Sequence, residues 1–158
     1  MNMMGKMLAA VVGLVLALTG PVLALDARQA STVVGLMEQV AEQSGESVYY
    51  GGGDTFFDLD YDGLIAAAGF DRDRWVVVYD EVVAGYFATM PQDAFDAIFA
   101  DVLETLEASD LSEEDKQSLR VDWEQEIGMA QQARRDGAEH EEAVRPLADR
   151  LHVLFFGA

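Results

Sequence analysis

The chain contains no cysteine, which removes disulfide staples, thiolate metal sites and a lipidated cysteine at a cleavage point together. Basic residues are scarce: Lys and Arg number 10 against 29 Asp and Glu, giving a formal net charge of −19. A nucleic-acid binder needs clustered Lys and Arg for its phosphates, so that class is excluded, and an anionic membrane surface would repel the chain for the same reason. No HExxH, GxSxG, Walker or dinucleotide pattern occurs, nor any internal repeat or low-complexity tract. Long hydrophobic runs are missing too. The longest, residues 8–18, is far short of the roughly 20 residues that span a bilayer.

That short run has a context. Residues 1–7 carry Lys6 as their one charged side chain, the apolar run follows, and Gly20-Pro21 breaks it before the small-residue sequence Val22-Leu23-Ala24. This is the pattern of a secretory signal peptide, with cleavage expected after Ala24 and no stable membrane anchor left behind. Removing 24 residues from 158 leaves 134, one helical domain over residues 25–158, and the loss of Lys6 moves the charge from −19 to −20. An exported, acidic chain without cysteine fits a periplasm, with secretion to the medium as the alternative.

Helical periodicity dominates residues 25–158. Ala30, Val33, Val34, Met37, Val40 and Ala41 mark one face of a helix over 26–44, which Gly45 ends. Gly51-Gly52-Gly53 argues against regular helix over 46–55. Asp71 is a good N-cap for a helix over 71–90 carrying Trp75, Tyr79, Val82, Tyr86 and Phe87, although Trp75 to Tyr79 taken alone is β-prone. After Pro91 the cleanest amphipathic stripe of the chain, Phe95, Phe99, Val102 and Leu106, predicts a helix over 91–108 whose outer face is acidic. Ser112 with Asp115 is an Asp variant of the capping box, opening a helix over 112–136 with Leu119, Trp123, Ile127 and Ala130 inward and Gly137 as a left-handed stop. A last helix, over 144–156, takes Pro146 in its first turn. The expectation is an all-α, single-domain bundle of about five amphipathic helices with a Gly-rich irregular segment.

Candidate chemistry is sparse. His140, inside a Glu-rich run, reads as a solvated histidine, and His152 as a cation suited to the end of the last helix. Acid neighbours such as Asp80-Glu81 and Glu124/Glu126 read as a solvated face, because so acidic a chain brings carboxylates together by chance. Trp75, Tyr79, Tyr86 and Phe87, at helical spacing, read as core. No catalytic residue is assigned.

One constellation stands out. Asp58, Asp60, Asp62 and Gly63, with Leu64 offering its backbone carbonyl, resemble the first half of a calcium-binding loop of the EF-hand type. Alternate carboxylates in a tight loop can turn their oxygens inward, and the glycine permits the sharp turn. The twelfth position of such a loop, a bidentate Glu, is here Gly69, the ninth is Ala66, and the glycines at 51–53 stand where an entering helix belongs. The competing expectation is that one of these aspartates caps a short helix from Leu64 to Ala68, ended by Gly69. Calcium is therefore the one cofactor considered.

A broader resemblance spans most of the chain. Ala67-Ala68-Gly69-Phe70, Trp75, a helix with Ala84 and Tyr86, and a later helix from Val144 through Pro146 to Leu151 resemble small exported helical proteins of Proteobacteria of uncharacterised function. No residue role carries over from it. The leading expectation is an exported, non-catalytic binding or accessory protein whose partner is a protein or small ligand, a cationic one suiting its charge. Calcium binding is the alternative, and a small hydrolase ranks last because no nucleophile is paired with a base.

Overall fold

The computed structural model describes residues 25–44 and 52–157. The expected leader at 1–24, its cleavage site and most of the Gly-rich segment lie outside the described residues. Within them the protein is all-α and a single domain, with no strand. The order is α1 (Ala27–Ser44), α2 (Gly53–Leu59), α3 (Leu64–Ala67), α4 (Arg72–Thr89), α5 (Gln92–Glu107) and α6 (Glu113–Asp136). A tight 3-10 turn (Gly137–Glu139), α7 (Glu141–Val144), a second such turn (Arg145–Leu147) and α8 (Ala148–Phe156) complete it.

The caps act as their residue types dictate. Asp71 accepts from the Arg74 amide at 2.8 Å, and Ser112 Oγ accepts from the Asp115 amide at 3.2 Å while donating to Asp115 Oδ2 at 2.6 Å. The β-prone run at Trp75 stays helical because the apolar period continues through Tyr86 and both faces of α4 are covered. Trp75, Val78, Tyr79, Val82, Val83, Tyr86 and Phe87 are all buried. α4 is the axis of the fold: α1, α2, α6, α7, α8 and both 3-10 turns pack on it.

Three glycines set how closely these neighbours approach. A Cβ on Gly137 would stand 2.1 Å from the Ala84 carbonyl oxygen, one on Gly85 would stand 2.8 Å from Val144 Cγ2, and one on Gly53 would stand 2.9 Å from Val76 Cα. Real Cβ atoms do not approach backbone as closely as those at Gly137 and Gly53 would, so these two positions accept only hydrogen, whereas at Gly85 the atom met is the end of the Val144 side chain. Two expectations change here. Gly137 is not a left-handed stop: its φ is −71°, and its service is the contact with α4. The second concerns Gly53, which opens the helix α2 that the glycine run had argued against. Its bare backbone lets α2 lie on α4, where the Trp75 indole donates to the Gly53 carbonyl at 2.9 Å.

α5 divides its stripe between two apolar clusters. Phe95 and Phe99 join the main core, whereas Val102 and Leu106 form a separate cluster with Trp123 of α6, flanked by Leu103. The far half of the α5–α6 hairpin is thus an arm with a small core of its own. Leu119, expected to face inward, lies on its surface, because an arm two helices thick offers α6 only one covered face.

Candidate functional site

The 58–64 loop is where the sequence pointed, and its side chains are engaged within the protein. Asp60 Oδ1 accepts from the Leu64 amide at 2.9 Å and Oδ2 from the Ile65 amide at 2.7 Å, which satisfies the first turn of α3. Asp58 pairs with Arg72, whose other terminal nitrogen reaches Asp54 Oδ1 at 2.9 Å. The Leu64 carbonyl accepts from the Ala68 amide at 2.9 Å, and Asp62 is exposed. Gly63 has φ +70° and Gly69 has φ +93°, so both helix boundaries use conformations that favour glycine. Among the described residues no group of three or more His, Asp and Glu is placed to hold a metal ion. Contrary to the sequence expectation, a helix does enter this loop: α2 carries Asp58 in its last turn.

A second cluster lies where no site was expected. Glu81 and His140, both read from sequence as solvated, are buried, each 8% exposed. Val78, Glu81 and Gly85 share one face of α4, and the missing side chain of Gly85 admits His140, whose Cβ lies 3.0 Å from where a Gly85 Cβ would be. Glu81 Oε2 and His140 Nδ1 are buried and make no hydrogen bond among the described residues. Burial pushes the Glu81 carboxyl up, while His140 and Arg74 pull it down and Glu139 adds to the rise. His140 Nε2 lies 3.9 Å from Glu139 Oε1 at the edge of the cluster.

Asp80 extends this polar layer toward α2. Burial, and then the charges of Asp54 and Glu81, push its carboxyl up to about 7. α4 therefore carries two adjacent acids whose charged forms are disfavoured, one beside a histidine. Of the two, Asp80, with its carboxyl at about 7, can exchange a proton near neutral pH. Acting on a substrate would also require a cleft beside them.

One groove among the described residues lies away from these acids. It has a volume of about 580 Å³ and is lined by residues 88–91 and by Arg134, Arg135, Ala138 and Glu141. Arg134 is fixed there, its Nη2 donating to the Met90 carbonyl at 2.7 Å and its Nη1 to Gln92 Oε1 at 2.9 Å. His152 is exposed on α8, with its Nδ1 3.1 Å from the Tyr86 hydroxyl. No helix among the described residues is long and apolar enough to cross a membrane.

The α4 face carried one readable signal of its buried acids: Glu81 stands at i+3 from Val78 inside an apolar stripe. Nothing in the charged neighbourhood of His140 marked it, since its burial follows from Gly85 and Gly137 drawing distant segments together. Comparisons with protein families, with curated proteins and with solved structures find no match.

Proposed function

We propose that this protein is an exported, acidic helical binding or accessory protein without catalytic activity, and that its acidic surface meets a positively charged partner. The observation that supports this reading is the α5–α6 arm, whose exposed carboxylates include Asp101, Glu104, Glu114, Asp122 and Glu124. A surface of one sign steers an oppositely charged partner and weakens with salt. The double change Asp101→Lys, Glu104→Lys tests it by capture of partners from a periplasmic extract. A basic partner that is retained at low salt, released at high salt and lost with the double variant is the expected result. Equal capture by both forms would overturn the arm as the binding surface. Export is tested by the intact mass of the periplasmic product, which should begin at Leu25.

Calcium binding at Asp58, Asp60, Asp62 and Leu64 is the alternative, favoured by the helix that enters the loop and by Gly63 at its turn. It requires Asp58 to leave Arg72 and Asp60 to share its oxygens with the α3 amides. A rise in melting temperature with calcium beyond a sodium chloride control of matched ionic strength, lost on changing Asp60 and Asp62 to Asn, would favour it over the first reading.

A further inference from the structure

The groove at the C-terminal ends of α4 and α6 has the opposite character from the acidic surface. Acids outnumber bases 29 to 10 in this chain, and Arg72, Lys116, Arg120, Arg145 and Arg150 each reach a carboxylate. Arg134 and Arg135 are consecutive, line the groove, and form no ion pair among the described residues. Arg134 is held rigid by Met90 and Gln92 and by its guanidinium lying 5.6 Å from the Phe95 ring centroid, so its charge is preorganised. Arg135 uses one nitrogen on Gln132, at 2.7 Å, and keeps its other donors. The acid on the rim, Glu141, is already engaged by Arg145. Between these charges the lining is mixed, with Ala88, Met90, Pro91 and Ala138 apolar and Thr89 polar.

We propose that this groove binds a small organic anion, with a carboxylate head on Arg135 beside the fixed charge of Arg134 and a short apolar tail over Met90, Pro91 and Ala138. The volume suits such a ligand, since small-molecule sites run from about 300 to 1,000 Å³. Basic residues in the last turn of a helix also complement its dipole. That role explains a positive charge near the end of α6, but it calls for neither the anchoring of Arg134 on the α4–α5 turn nor the apolar residues around it.

The test is a titration of the isotope-labelled chain with hexanoate, followed by amide chemical shifts, with hexanol supplying the tail alone and acetate the head alone at matched ionic strength. Saturable shifts at 88–90 and 134–138 are expected with hexanoate, with much weaker responses to the other two. Arg135→Gln should weaken hexanoate binding about tenfold, which corresponds to about 1.4 kcal/mol. Arg135→Lys should retain most of it. Absence of saturable shifts in the groove, an equal response to hexanol or to acetate, or hexanoate binding unchanged in Arg135→Gln would each overturn the proposal. A loss of thermal stability in Arg135→Gln with hexanoate binding unaltered would assign Arg135 to the helix dipole alone.

Discussion

The surroundings of α4 and the outer half of the α5–α6 hairpin are built from similar amphipathic sequence, yet they are held together differently. Around α4, Trp75, Val78 and Val82 are wholly buried, and glycines bring neighbouring backbone into contact. In the arm the apolar cluster is small, Val121 is 53% exposed, and polar contacts carry more of the structure. Lys116 Nζ donates at 2.8 Å to the carbonyl of Glu107, the last residue of α5, and Arg120 pairs with the Glu107 side chain. A cation at that carbonyl satisfies a group that the helix end leaves open. The difference teaches that an amphipathic stripe reports a face that avoids water, but not how many neighbours cover it.

The largest effect should come from closing the gap at Gly137. Gly137→Ala forces a methyl group against the Ala84 carbonyl, and we expect a loss of about 3 kcal/mol in chemical denaturation. A loss below roughly 1 kcal/mol would mean that α6 and α4 can separate cheaply, and the contrast between the regions would weaken.

Acid pH should act on the two regions in opposite directions. Asp80 has a folded pKa pushed up to about 7, above the ordinary value near 4 expected of the unfolded chain. Its contribution is therefore fully present below about pH 4 and is lost as the pH rises to about 7. Asp80→Asn should stabilise the protein at pH 8 by on the order of 2 kcal/mol, allowing for the solvent that reaches this half-buried group, and by little at pH 4. An equal effect at both pH values would show that ionisation is not its cause. In the arm, the hydrogen bond from Arg120 holds the Glu107 carboxyl below its ordinary value. That contribution is present above the unfolded pKa and is lost as the pH falls through the folded one.

Each region has one tryptophan, Trp75 in the core and Trp123 in the arm. Single-tryptophan variants, Trp123→Phe and Trp75→Phe, can therefore report the regions separately. With Trp123 as the probe, Lys116→Met should lower the midpoint of urea unfolding by the equivalent of about 1 to 2 kcal/mol, because the Glu107 carbonyl loses its donor. With Trp75 as the probe the shift should be smaller. Coincident shifts would make the arm and the core one cooperative unit.

The smallest expected effect is a gain. Gly128 lies within α6, and a Cβ there would meet nothing within 4 Å. Gly128→Ala should stabilise by about 0.5 to 1 kcal/mol through helix propensity and backbone entropy. Its sign, opposite to that of Gly137→Ala, depends on the neighbours alone.

Much of this architecture was legible before any coordinates. The helices containing Val33, Trp75, Phe99 and Trp123 follow from periodicity, and their starts at Asp71 and Ser112 follow from side chains that can reach an open amide. The aspartates at 58–62 were legible as a tight loop, and the competing expectation of a helix cap describes what Asp60 does. The candidate site was far less legible. Glu81 and His140 lie in different segments, and only the packing of the turn after α6 onto α4 buries them together.

The sequence by itself determined the helical class, most helix boundaries and the excess of negative charge, because backbone periodicity, capping and ionisation are local properties. Tertiary structure alone decided that Gly137 is a contact rather than a stop, that His140 is buried, that Leu119 is exposed and that one stripe on α5 serves two cores. Each of these depends on which distant segment lies alongside, and that is fixed by the simultaneous packing of all the helices rather than by the residues of any one.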